Sequence, residues 1–145
     1  MYTGAEARAG QWVPSRSPQL GQGRRSPVKV FDKIISDRGS RYAVSGGPAA
    51  SRAEVAAMLA ELRQVKRFAK ATHHSWAAIL GGEPVRDDDG ESGAAALILQ
   101  MLQRAGLQDH VVIVTRWYGG KHLGGDRFRH VADAVRHYLR ETGLG

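Results

Sequence analysis

Four consecutive β-branched residues, Val111-Val112-Ile113-Val114, constrain this chain more than any other feature. Neighbouring side chains of a strand point to opposite sides, so an unbroken apolar run suits a strand buried on both faces. That strand is expected to end near Thr115. Beyond Arg116-Trp117-Tyr118 come Gly119-Gly120 and Gly124-Gly125, which let the chain leave the sheet through a loop with few steric limits. Asp126 stands where a helix N-cap would, and Phe128, Val131, Ala132, Val135, Tyr138 and Leu139 then recur at helical spacing. A strand, a glycine loop and a helix start carrying Arg116, Lys121, Arg127 and Arg129 make a candidate anion cradle. Two phosphate-loop patterns fail here. Asp126-Arg127 replaces the Lys and Ser/Thr of a P-loop, and the glycines do not fall as G-x-G-x-x-G. The plain alternative is that the glycines only turn the chain tightly beneath packed side chains.

Upstream, residues 28–35 and 41–45 read as two strands around Asp37-Arg38-Gly39-Ser40, a hairpin with glycine where a positive φ is needed. Ser51 with Glu54 three residues later forms a capping box. The helix it opens carries Val55, Met58, Leu59, Leu62 and Val65 on one face, and its basic end, Lys66-Arg67, suits the negative end of the helix dipole. Residues 71–80 alternate well enough for a strand. His73 and His74 then point to opposite faces and cannot chelate one metal. Residues 81–91 read as a loop ending in Asp87-Asp88-Asp89-Gly90-Glu91. An EF-hand is excluded, because Val85 and Ala96 fall at its first and twelfth ligand positions. No cofactor is expected, although magnesium with a phosphorylated ligand would need only one or two of these carboxylates. The alternative is a solvated loop in which Asp89 or Glu91 pairs with Arg116 or caps the next helix. That helix, residues 93–105, is almost wholly apolar and belongs in an interior.

The order strand, strand, helix, strand, helix, strand, helix predicts an α+β domain, most economically a sheet with helices packed on one face. At 145 residues, one domain with a real core is expected. The first 27 residues are rich in Gly, Pro, Ser, Gln and Arg and read as a disordered basic leader, leaving residues 28–145 as the domain. Of the net charge of +7, Arg8, Arg16, Arg24 and Arg25 against Glu6 supply +3. The domain is therefore only mildly basic. No apolar run approaches 18 residues and no secretory pattern opens the chain, so a cytoplasmic protein is expected.

Arg116-Trp117-Tyr118-Gly119-Gly120, Leu123-Gly124 and Asp126-Arg127-Phe128 together resemble the signature of the IMPACT family, whose bacterial relatives are the YigZ-type proteins. Ala71-Thr72-His73-His74 with Trp76-Ala77, and Asp88-Asp89-Gly90-Glu91, match two further blocks in the same order. The resemblance implies a four-stranded mixed sheet similar to the second domain of a small-subunit ribosomal protein. It also implies a regulatory binding module with a protein partner in translational control under nutrient stress, restraining the initiation-factor kinase that senses amino-acid starvation.

The candidate recognition surface is His73, Asp88, Asp89, Glu91, Arg116, Tyr118, Gly119, Gly120, Lys121 and Gly124, brought together at one end of the sheet. One alternative is an enzyme or binding protein for a phosphorylated small molecule. It would use Arg116, Lys121 and loop amides for the anion, Asp89 or Glu91 as base or magnesium ligand, and His73 as proton carrier. Another is RNA or ribosome contact through the leader and Arg129, Arg136 and Arg140.

Overall fold

The structure is a computed structural model that describes Gln11–Trp12 and residues 28–145. Its elements are β1 (Gln11–Trp12), β2 (Lys29–Asp37), β3 (Ser40–Pro48), α1 (Arg52–Arg63), α2 (Lys66–Ala69), β4 (His73–Leu80), β5 (Glu83–Asp87), α3 (Ala94–Arg104), β6 (His110–Trp117) and α4 (Asp126–Thr142). Apart from Gln11–Trp12, which pair with Val30 and Phe31 of β2, the expected leader lies outside the described residues.

The α+β class is as expected, but the sheet is antiparallel throughout. Its order is β1-β2-β3-β6-β4-β5, where four mixed strands were expected. The extra strands sit at the edges. β5 was expected to be loop, because Glu83-Pro84-Val85-Arg86-Asp87 buries only Val85 and shows no apolar alternation. It pairs with β4 through a tight turn at Gly81-Gly82. β6 lies between β3 and β4 and is antiparallel to both, so it joins two hairpins into one sheet.

Helices cover both faces, not one. Val112 and Val114 of β6 pack with Tyr42, Val44, Ala77, Ile98, Leu102, Val135 and Tyr138 beneath α3 and α4. Val111 and Ile113 turn the other way, against Val55, Met58, Leu62 and Phe68 of α1 and α2. The unbroken β-branched run thus does what its pattern requires, and a second helical layer follows from it. Fully burying side chains of this size stabilises the fold by about 1.5–3 kcal/mol each, so each layer contributes substantially.

Local signals in the sequence account for the boundaries. Arg38 and Gly39 have φ of 47° and 87°, the two positive values that a two-residue hairpin turn needs to match the twist of its strands. Ser51 Oγ accepts from the Glu54 amide at 3.2 Å. Glu54 reaches back one residue further than a standard capping box and accepts from the Ala50 amide at 2.7 Å. Gly143 takes φ 74°, and the Leu144 amide donates to Leu139, closing α4 as a glycine-capped end.

Lys66-Arg67 do not end α1. They begin α2, where the Arg67 guanidinium grips the Asp32 carboxylate at 2.8 and 2.6 Å and stacks 3.9 Å from the Trp117 ring centroid. The Trp117 indole donates to the Arg67 carbonyl at 3.0 Å and its ring meets Phe68 edge-on. Charge at a helix end was a weaker demand than this stacked, doubly bonded arrangement.

α4 and β6 both crowd Gly46, where a Cβ would stand 2.4 Å from the Val111 carbonyl oxygen and 2.9 Å from the Tyr138 ring. Gly46→Ala is expected to cost about 1–3 kcal/mol in urea denaturation, because backbone and a buried ring must both move. Gly125→Ala, which meets nothing within 4 Å, should stay within about 0.5 kcal/mol. Equal effects would mean that the close approach is not limiting.

Candidate functional site

Strand register alone places two of the candidate residues side by side, since His73 at the start of β4 pairs with Arg116 near the end of β6. β6 runs on through Arg116 and Trp117 instead of ending at Thr115, so Arg116 projects from a rigid strand onto the face covered by α3 and α4. Its guanidinium meets Glu91 at 3.0 and 3.2 Å and donates to Ser40 Oγ at 3.3 Å. The Tyr42 and Tyr118 rings flank it, with centroids 5.7 and 5.5 Å away. Arg127, from the first turn of α4, donates to the same Glu91 carboxylate at 3.0 Å and to the Ser92 carbonyl at 3.0 Å. His73 Nε2 lies 3.8 Å from Glu91. Glu91 and Arg116 are each only 5% exposed. The carboxylate is therefore buried and shared by two guanidiniums with an imidazole beside it, which is the arrangement a buried charge requires.

The acidic turn is held by the same strands. His73 Nδ1 bonds the Asp89 carbonyl at 2.8 Å, the His74 amide donates to Asp89 Oδ2 at 2.7 Å, and Ser75 Oγ donates to the Asp88 carbonyl at 2.8 Å. Asp88 serves α3: its carboxylate accepts from the Ala95 amide at 2.8 Å and the Gly93 amide at 3.2 Å. Asp87 Oδ1 takes the Asp89 amide at 3.0 Å. The three aspartates coexist because each oxygen set faces backbone donors rather than a neighbouring carboxylate. Among the described residues no group of three or more His, Asp or Glu is placed to hold a metal ion.

His74 points to the opposite face from His73, as the strand period demands. Its Nε2 must carry the proton, because it bonds the Phe68 carbonyl at 2.9 Å, and its Nδ1 then accepts from Thr115 Oγ1 at 2.9 Å. Burial pushes its pKa below the ordinary imidazole value. Burial likewise pushes the Tyr42 hydroxyl up to about 12.

The glycine loop divides in two. Gly119 is locked to the hairpin turn: its amide donates to Ser40 Oγ at 3.1 Å, and a Cβ there would lie 2.1 Å from the Gly39 carbonyl carbon. Only glycine permits that approach. Gly120, Lys121 and Gly124 form the exposed part of the loop. The cations of the candidate anion cradle are largely spoken for, since Arg116 and Arg127 hold Glu91 and Arg129 holds Asp126. Leu123, Gly124 and Gly125 carbonyls accept the first amides of α4.

Asp126 is the first helical residue and Gly125 the cap. The Asp126 carboxylate is drawn instead to Arg38 in the hairpin turn. Beside it, Asp37 meets His130 Nε2 at 2.7 Å. This clamp between hairpin and α4 gave no sequence signal, because its members are more than 85 residues apart.

Three of the expected segments thus converge at one end of the sheet: the histidine strand, the acidic turn and the Arg-Gly-Gly bend. Their rim is open. Tyr118 is 43% exposed and Phe128 36%; the Tyr118 ring lies tilted against His122, with centroids 5.9 Å apart, and Arg127 lies over the Phe128 ring at 4.3 Å.

Glu91→Ala leaves Arg116 buried without its partner and should cost roughly 3–5 kcal/mol of unfolding free energy. The double variant Glu91→Leu/Arg116→Met should recover a large part of that loss. Urea denaturation giving the double variant the summed cost of the singles would argue against direct coupling. Hydrogen bonds from Arg38, and then from His130, hold the Asp37 pKa down to about 2 from the ordinary 3.8. Asp37 therefore stabilises the fold fully above 3.8, and that contribution is lost as pH falls through about 2. The stability gap between the wild type and Asp37→Asn should be wide at pH 6 and narrow as pH approaches 2. A gap of constant size would remove the ionised clamp.

The Impact N-terminal domain family matches residues 38–139. The chain is 31% identical to the IMPACT homolog of Caenorhabditis elegans over 78% of its own length and 47% of the relative's. It is 36% identical to Protein IMPACT of Xenopus laevis over 79% and 39%. The chain thus spans less than half the length of these relatives. A solved structure of the two-domain translational regulator Yih1 superposes with a TM-score of 0.51 and 26% identity over 97% of this chain and 55% of that one. A solved hypothetical protein shares the fold, with a TM-score of 0.67 at 22% identity over 79% and 61%. Because the matched region runs from the hairpin turn through nearly all of α4, the chain belongs to the Impact N-terminal domain family.

Proposed function

We propose that this domain is a regulatory binding module of translational control, engaging a protein partner through the rim around Glu91. The observation that carries the reading is the saturation of the central cluster beneath an open aromatic rim. Glu91 is held by two arginines, and Asp88 and Asp89 are occupied by backbone amides. A carboxylate so engaged is a poor base or ligand, which counts against the phosphorylated small molecule. It makes a good rigid support for a contact surface.

Tyr118, Phe128, Lys121 and His122 are exposed around that support. Large aromatic rings with basic neighbours are the composition that anchors protein interfaces. Ion pairs of Arg129 with Asp126 and of Arg136 with Asp133 offset charge along α4, which weakens the RNA alternative. Likeness to the translational regulator Yih1 supports the translational setting. The partner pathway we favour is restraint of the initiation-factor kinase activated by amino-acid starvation.

The test is phosphorylation of the kinase's initiation-factor substrate in starved cells expressing this chain. The wild type should lower it. Tyr118→Ser/Lys121→Glu/Phe128→Ser, which changes only exposed positions, should not, while keeping the wild-type melting temperature. Unchanged phosphorylation with the wild type would overturn the kinase pathway, and full activity of the variant would overturn the rim.

A further inference from the structure

The excess positive charge of the domain is gathered in one place. Residues 28–145 hold seventeen basic and thirteen acidic residues, a balance of +4 with histidines neutral. Arg41, Arg63, Lys66, Arg67 and Lys70, less the one carboxylate bonded among them, Asp32, carry the same +4. The rest of the domain is therefore neutral on balance. No acidic residue falls between Arg63 and Lys70.

The fold brings these cations together on the face covered by α1 and α2. Arg63 ends α1, and only Gln64 and Val65 separate it from α2, which Lys66 opens and Lys70 caps. Arg41 pairs in register with Trp117, so both side chains point to this face, and the Arg67 guanidinium lies over the Trp117 ring 3.9 Å from its centroid. Asp32 holds Arg67 in place. Arg41, Arg63, Lys66 and Lys70 are exposed, and none of them makes an ion pair among the described residues. The carboxylates at the β4 and β5 side are already engaged, Asp89 by the His74 amide and Asp87 by the Asp89 amide. Like charges gathered in this way repel one another, and a segment of opposite sign offsets that repulsion when it binds.

We propose that this face docks an acidic segment of a partner protein, a run of aspartates and glutamates lying across α2. Arg67, fixed from below by Asp32 and Trp117, gives the patch a rigid centre, and the four exposed cations around it meet carboxylates at the surface. Nucleic acid is the less fitting polyanion. It is gripped by a basic groove that tracks its backbone and by free rings on which bases stack. Here the cations form a compact group around a four-residue helix, and the Trp117 ring carries Arg67 over it with Phe68 packed against it. Tyr118, whose amide donates to Thr72 Oγ1 at 2.9 Å just beyond α2, marks the corner between this patch and the Glu91 rim. The patch stands or falls independently of that rim.

The experiment is a titration of the isotopically labelled full chain, followed by amide NMR shifts, with an acetylated and amidated Gly-Asp-Glu-Gly-Asp-Glu-Gly-Asp-Glu peptide. Shifts should centre on Arg41, Arg63, Lys66, Lys70 and Trp117. Affinity should fall at least about tenfold in Lys66→Glu/Lys70→Glu, which alters only exposed, unpaired side chains and should keep the wild-type melting temperature. Arg86→Glu/Arg104→Glu makes the same change in net charge at exposed positions outside the patch and should bind within about twofold of the wild type. The Asn/Gln counterpart of the peptide and a uridine oligonucleotide of matching charge should both bind more weakly. The proposal is overturned if the neutral peptide or the oligonucleotide binds as tightly as the acidic one, if the two double variants lose affinity equally, if Lys66→Glu/Lys70→Glu binds like the wild type, or if the acidic peptide gives no localised shifts at millimolar concentration.

Discussion

The buried pair of Arg116 and Glu91 is the interaction on which this end of the molecule depends. Arg116 belongs to the central strand, Glu91 to the entrance of α3, and Arg127, which shares the carboxylate, to the first turn of α4. One carboxylate therefore ties the sheet to both helices of one layer. Neither charge could remain buried alone without a penalty of several kcal/mol, so the three elements are fixed relative to one another by a requirement for neutrality. Ser40 extends the tie to the hairpin, since its hydroxyl accepts from both Arg116 and the Gly119 amide.

This explains why residue types that suggest chemistry end in architecture. A histidine, a carboxylate and a guanidinium at the end of a sheet are the components of many active sites. Here the carboxylate has two cationic partners, and the nearby aspartates are committed to amides of β4 and α3. Outside this core, Tyr118, Phe128, Lys121 and His122 remain exposed on backbone that the core holds in place. A surface pre-organised in this way loses little conformational freedom when a partner docks.

Much of the fold was legible in local signals. The Val111–Val114 run, the Arg38-Gly39 turn, the Ser51 cap and the apolar stripe of α4 each state a backbone demand within a few residues. What escaped were features set by distant partners. β5 is a strand because β4 offers an edge, not because its five residues favour one; Pro84 and four exposed positions argue the reverse. Arg67 looked like a helix-end charge until Asp32 and Trp117 came within reach. The pairing of Glu91 with Arg116 was among the readings the residues themselves offered. Arg127 as second partner was not, because it follows only from where α4 begins.

The placement of β6 bears on how the chain is made. Residues 28–87 can form two hairpins early, each from strands that are neighbours in sequence. The strand that must sit between them is synthesised last, after α3. Until it arrives, β3 and β4 each present a row of unpaired backbone groups, the kind of edge that recruits strands from other chains. Insertion of Val111–Val114 closes both rows at once, so the most apolar strand of the molecule also ends its period of greatest exposure to misassembly during synthesis.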